Sequence, residues 1–240
     1  MKYVGSKNRL AKDLIPIIQP YVDNSVGYLE PFVGGGNLID KIKSNNKYGS
    51  DINKYLIALL QKVQTDISDI PDHISEDEYI KVRNNKDNYD DWYVGLVGFC
   101  ATFGAKWFGG YARGFKTDGI TPRDLPNEAI RNLKQQAKML QGIMFKCCPY
   151  DNINKDIKNF TIYCDPPYRS STKAYANKDF NYNNFYNWCI DMAHNNTVLV
   201  SEYNINDDRF ECIWSKTTNV MIDSNKINGN KRIERLYKVK

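Results

Sequence analysis

The 240-residue sequence predicts an α/β fold, a mainly parallel sheet carrying one mostly helical insertion. Three observations predict it. A short apolar stretch runs into a glycine turn, a second one closes on an acid, and the same rhythm returns after a long stretch without it.

Gly5-Ser6 precedes a run in which Leu10, Leu14 and Ile17 fall at helical spacing, so a helix starts near Lys7. Val26 to Phe32 reads as a buried strand ending in Val33-Gly34-Gly35-Gly36, and Asn37 to Lys43 as the helix that follows. Lys47 to Ser50 makes a second strand closing on Asp51, after which Asn53 caps a helix carrying Leu56, Ile57, Leu59, Leu60 and Val63. From about 66 to 145 the alternation stops. That stretch holds an acidic helical part, the aromatic and glycine-rich Phe99 to Phe115, and an amphipathic helix near Glu128 to Gln141. The division expected is therefore 1–65 with 146–240 as one domain and 66–145 as an insertion. In the second part, Asn159 to Cys164 and Thr197 to Ser201 read as strands around a helix from Asn184 to His194. Ile213 to Ile222 and Arg232 to Val239 form an antiparallel pair joined through Asn228-Gly229-Asn230.

Composition narrows the function classes. With 42% hydrophobic and 25% charged residues and no long apolar run, the chain reads as soluble, with no membrane partner. The start, MKYVGSKNRL, lacks the apolar stretch of a secretory signal, so the expected address is cytoplasmic, in the host cell if the gene is phage-borne. Cys100, Cys147, Cys148, Cys164, Cys189 and Cys212 show no C-x-x-C pairing, and only His73 and His194 could join them, which points to reduced, mostly packed thiols and no metal. The net charge of +5 is a mild surplus, but its distribution is uneven. Residues 66–91 are acidic, 103–146 are basic (Lys106, Arg113, Lys116, Arg123, Arg131, Lys134, Lys138, Lys146), and a second basic surplus including Lys231, Arg232 and Arg235 closes the chain. Cations clustered beside aromatic residues suit a phosphate-tracking surface. A solvated helix face explains 131–138 equally well.

Two constellations carry chemistry. An acid at the end of a second strand, after a glycine turn, is how an open α/β sheet grips a ribose, and Asp51 stands there. The more specific one is Cys164-Asp165-Pro166-Pro167-Tyr168, directly after the strand. Consecutive prolines fix φ and remove backbone donors, so a carboxylate and the Pro166 carbonyl are held side by side as acceptors. An exocyclic amine has two hydrogens to give them, which aims its lone pair at an electrophilic methyl. Tyr168 adds a face on which an extruded base can stack.

Together these stretches resemble the Dam-like family of DNA adenine-N6 methyltransferases. The matching blocks are Lys2-Tyr3-Val4-Gly5-Ser6-Lys7, Glu30-Pro31-Phe32-Val33-Gly34-Gly35-Gly36, Ser50-Asp51-Ile52-Asn53, Tyr163 to Tyr168 and Val200-Ser201-Glu202-Tyr203-Asn204, in family order. The resemblance implies a Rossmann-like, S-adenosylmethionine-dependent methyltransferase sheet with an inserted DNA-recognition domain. By it, Tyr3 and Lys7 contact the cofactor, Phe32, Gly34 and Gly36 wrap its methionine part, Asp51 holds its ribose and Asp151 reads its adenine. Asp165 touches both cofactor and target amine, with Pro166 and Tyr168 completing the catalytic strip. Candidate DNA contacts are Lys2, Lys106, Arg113, Lys116 and Arg123 on double-stranded DNA, by a monomer or by a dimer formed on DNA. Tyr3 stands where a tryptophan is frequent in that family, and Phe103 to Arg113 does not reproduce the hairpin that reads GATC in its best-known members, so no recognition sequence is implied.

Three rival readings compete with this one. A methyltransferase acting on an RNA base could use the same strip. A nucleic-acid-binding module with a decayed site would have lost Asp165, Tyr168, Asp51 or Lys7, and all are present. A nicotinamide dehydrogenase needs G-x-G-x-x-G, which Gly34-Gly35-Gly36 does not supply.

Overall fold

The structure is a computed structural model that describes residues 1–169, 180–219 and 231–240. The chain runs through α1 (Ala11–Asp23), β1 (Gly27–Glu30), β2 (Lys47–Asp51) and α2 (Lys54–Thr65). Three further helices follow, α3 (Glu76–Asn84), α4 (Asp91–Cys100) and α5 (Leu125–Leu140). It then returns to the sheet with β3 (Ile143–Cys147), β4 (Phe160–Cys164), α6 (Tyr182–Ala193), β5 (Thr197–Glu202), β6 (Phe210–Asn219) and β7 (Lys231–Val239).

These strands form one sheet in the order β3-β2-β1-β4-β5-β7-β6. Neighbours from β3 to β5 pair in parallel, whereas β7 is antiparallel to both β5 and β6. This is the open, Rossmann-like α/β sheet that the resemblance implies. Successive strand residues point to opposite faces. Tyr28, Tyr163, Leu199 and Leu236 accordingly join the core under α1, α2, α4 and α5, while Leu29, Ile162, Cys164, Val198, Val200 and Tyr237 join the core under α6. Because β1, β2, β4 and β5 are parallel, Glu30, Asp51, Asp165 and Glu202 all emerge at one edge. The order reverses between β1 and β4, which opens a crevice at that edge.

Some expectations require correction. No regular helix forms over Asn37 to Lys43, where the chain makes successive turns with a single i to i+4 bond, from Asp40 N to Gly36 O. The reason is long-range: Leu38, Ile39 and Ile42 are buried in the core, and the Gln136 amide of α5 donates to Gly35 O, Gly36 O and Asp40 Oδ2 at 3.2, 3.2 and 2.8 Å. Nor does α1 begin at Lys7. A single 3-10 turn covers Lys7–Arg9, capped by the Ser6 hydroxyl, because the Lys7 side chain turns inward. Asn53 does cap α2, accepting from Tyr55 N and Leu56 N. The predicted C-terminal pair is present as β6 and β7, while Ile222 and the Asn228-Gly229-Asn230 turn lie outside the described residues. Of the thiols, Cys100, Cys164 and Cys189 are buried, whereas Cys147 and Cys212 are exposed.

The helices of the 66–145 stretch are packed, not appended. Val94, Leu96, Val97, Ile130 and Leu133 share one core with Leu56, Leu59 and Leu60 of α2. Strand β3, whose Ile143 and Phe145 alternate inward, begins inside that stretch and pairs with β2 from Ile143 to Cys147. At Gly95 the two helices approach so closely that an added Cβ would lie 2.2 Å from the Tyr55 carbonyl oxygen and 3.2 Å from Leu59 Cβ. Gly95→Ala therefore forces α4 off α2, and we expect a loss of about 1–3 kcal/mol in urea unfolding. Wild-type stability in this variant would contradict the close packing of the two helices.

Candidate active site

The crevice between β1 and β4 is a cleft of about 1250 Å³. Single ligand pockets usually span roughly 300–1,000 Å³, so this one has room for a nucleoside cofactor and a second group. Of the residues singled out in the sequence, Tyr3, Lys7, Phe32, Gly34, Asp51, Lys106, Asp151, Asp165, Pro166 and Tyr168 line it.

At one end the glycine loop leaves β1. Gly34 holds φ +49°, a conformation side chains disfavour, and an added Cβ there would lie 2.8 Å from the Tyr3 ring. The loop is tied to β2 by Asp51, whose Oδ2 accepts from Gly34 N at 3.3 Å and whose Oδ1 accepts from Asn53 N at 3.0 Å. Burial pushes the Asp51 carboxyl up, and the amides of Asn53, Gly34 and Ile52 pull it back. Asp151 sits on an exposed turn after β3, at the same end. Gly36 also has positive φ, but its Cβ position faces Leu140 and Gln136 of α5 at 3.3 and 3.8 Å, away from the cleft.

At the other end lies the strip after β4. Lys7 Nζ stands 2.8 Å from Asp165 Oδ1, off the hydrogen-bonding direction, and 4.7 Å from the centre of the Tyr168 ring. A base stacking on that face of Tyr168 has to displace the ammonium. The Tyr168 hydroxyl donates to Glu234 Oε2 of β7 at 2.9 Å, and the ring meets Tyr203 edge to face at 4.5 Å. Glu202 closes the strip from β5: Oε2 accepts from Arg169 N at 3.1 Å and Oε1 from Tyr203 N at 2.7 Å. The Tyr182 hydroxyl donates to the Pro167 carbonyl at 2.8 Å.

Burial raises the Asp165 carboxyl, and the Lys7 ammonium beside it pulls it back. Burial works to lower the Lys7 ammonium too, but Asp165 and Glu234 outweigh it and the ammonium is held above its usual value. Glu202 is pushed up to about 7 by burial, despite its two backbone donors.

Not every predicted contact reaches the cleft. Arg113 and Arg123 are turned to carboxylates of the same stretch, Glu76 and Glu128 respectively, and line no part of it. Lys2 and Lys116 are exposed outside it. The sequence assigns no individual role to Glu30, Tyr203 or Glu234, and places Arg232 only in the basic surplus that closes the chain; all four line the cleft. The last two alternate with Ile233 on β7, a pattern that does signal one shared strand face.

An acid thus grips a glycine loop at one end of the crevice, and an acid-proline-proline-tyrosine strip stands at the other. The chain belongs to the D12 class N6 adenine-specific DNA methyltransferase family, whose model matches residues 3–188. It is 22% identical over 196 residues to the type II methyltransferase M.FokI of Planomicrobium okeanokoites, spanning 73% of this chain and 29% of that protein. It is 26% identical over 215 residues to the type II methyltransferase M.MjaIII of Methanocaldococcus jannaschii, spanning 75% of this chain and 74% of that protein. The crystal structure of SMU.472 complexed with SAH superposes on 97% of this chain and 52% of that chain, at 12% identity and a TM-score of 0.41. That likeness is too loose to bear on the site.

Removing the cation from the Lys7–Asp165 pair should raise the Asp165 carboxyl further, since an opposite charge this close favours the ionised form. Carbon-13 NMR titration of Asp165 in Lys7→Met is expected to move to higher pH than in the wild type. An unchanged titration would mean the pair carries no charge coupling.

Proposed function

We propose that this protein transfers a methyl group from S-adenosylmethionine to the N6 amine of an adenine turned out of double-stranded DNA, at one short recognition sequence. The observation that carries the proposal is the meeting, in one cleft, of the Asp51-braced glycine loop and the Asp165–Tyr168 strip.

The cofactor end suits that group. The missing Cβ at Gly34 lets the Tyr3 ring pack against the loop in the cleft wall, and Asp51 is a half-buried acceptor of the kind that holds ribose hydroxyls. Tyr3, Lys7, Phe32 and Gly34 would line the methionine part, and Asp151 would face the adenine. Bound there, S-adenosylmethionine supplies a methyl group on a positively charged sulfur.

The chain's own residues do the rest. Tyr168 offers the extruded base a ring already fixed through its hydroxyl to Glu234 and along its edge by Tyr203. The Asp165 carboxylate and the Pro166 carbonyl accept the two amine hydrogens, which orients the nitrogen lone pair for in-line attack. Once the nitrogen carries the methyl group, its surplus proton would leave past Asp165 to solvent. The Lys7 ammonium favours the ionised form of Asp165 before the base arrives, against the desolvation that raises its carboxyl. Of the basic residues in the insertion, Lys106 lies in the cleft itself and is placed to meet the DNA backbone near the base. A DNA substrate puts the enzyme in the cytoplasm, of the host cell if the gene is phage-borne.

Two substitutions separate the ends of the cleft. Asp51→Ala should weaken cofactor binding by about 1–3 kcal/mol in calorimetry. Asp165→Ala should nearly abolish single-turnover methylation while sparing most DNA affinity, because phosphate contacts dominate that affinity and the carboxylate acts mainly in the transition state. Wild-type transfer by Asp165→Ala would remove the strip from the chemistry.

A further inference from the structure

Arg232 of β7 lines the cleft beside Tyr168 and Tyr203, outside the 66–145 insertion. It donates from Nη1 to the Tyr203 hydroxyl at 3.0 Å, and its guanidinium carbon lies 5.1 Å from the centre of that ring. Tyr203 in turn stands edge to face with Tyr168 at 4.5 Å, and Arg235 donates to the Tyr203 carbonyl oxygen. The guanidinium is thus fixed by an aromatic ring and a neutral hydroxyl. Glu234, on the same strand face, feels its charge but forms no ion pair with it among the described residues. Arg113 and Arg123 differ in this respect, since each is already matched to a carboxylate.

A half-buried arginine, preorganised by stacking and not neutralised by an acid, is suited to a phosphate, which takes two parallel N–H donors from one guanidinium. Its place next to the base-stacking ring decides which phosphate. We propose that Arg232 binds a phosphodiester flanking the extruded nucleotide, and so holds the strand in its flipped geometry. The inference rests on the reading of the cleft as a DNA base pocket. Tyr203 then has two roles, bracing the Tyr168 ring and orienting the guanidinium.

The test uses a duplex carrying the methylated target sequence, with a neutral methylphosphonate placed singly at each phosphate on either side of the target, and 2-aminopurine at the target position. Wild-type protein should lose roughly tenfold in binding and flipping at one flanking position. Arg232→Gln should show a similar loss on unmodified DNA, a salt slope shallower by about one, and no further loss at that position. Arg232→Lys, which keeps the charge, should retain part of the sensitivity. If Arg232→Gln instead suffers the same methylphosphonate loss as wild type at every position, Arg232 serves only to hold Tyr203 and the inference is overturned. If wild-type protein methylates no duplex DNA at all, the underlying reading fails, and this inference fails with it.

Discussion

A half-buried carboxylate at the end of a parallel strand, matched to a buried lysine, is the constraint around which this structure is organised. Asp165 leaves β4 in a rigid diproline segment, and its charge is tolerated because Lys7 lies 2.8 Å away. A pair so far removed from water contributes little as a whole, yet removing one partner leaves the other charge poorly compensated. Meeting that demand explains the irregular start of the chain. The residues around Lys7 give up a regular first turn of α1 so that its side chain can reach the strip. Glu234 and Glu202 brace the same strip from two other strands, one through the Tyr168 hydroxyl and the other through the backbone at Arg169 and Tyr203.

The opposite end of the cleft depends on a second long-range support. The glycine loop is held from β2 by Asp51 and from α5 by Gln136, so the helical stretch between residues 66 and 145 buttresses that end of the cleft directly. One core joins α2, α4 and α5. The two ends of the cleft and the helical stretch therefore share a single packed framework, with the cleft at the sheet's reversal point and the cations of Lys106 and Arg232 at its walls.

Legibility in the sequence followed the range of the interactions. The strands after Val26, Lys47, Asn159 and Thr197, the Asn53 cap, the loop at Gly34 and the strip at Asp165 are written in contiguous residues, and each was readable from spacing. The Asn37 to Lys43 turns were read as a helix because their apolar spacing suits one. What prevents it is Gln136, about a hundred positions downstream, taking the carbonyls and the Asp40 side chain. Strand β3 was missed because it is short and abuts a helix end. Charge counting singled out Arg113 and Arg123, but counting cannot see that Glu76 and Glu128 face them. Arg232 and Glu234 carry no local motif of their own and enter the cleft only through the antiparallel pairing of β7 with β5, whereas Tyr203 stands in the block that directly follows β5.

The measurement that bears most directly on the central claim is base-resolution mapping of modified nucleotides after incubation with S-adenosylmethionine, on unmethylated genomic DNA and structured RNA in parallel. The account predicts N6-methyladenine in duplex DNA at one short recurring sequence, with none produced by Asp165→Asn. Methylation confined to RNA, or placed on cytosine, would contradict it.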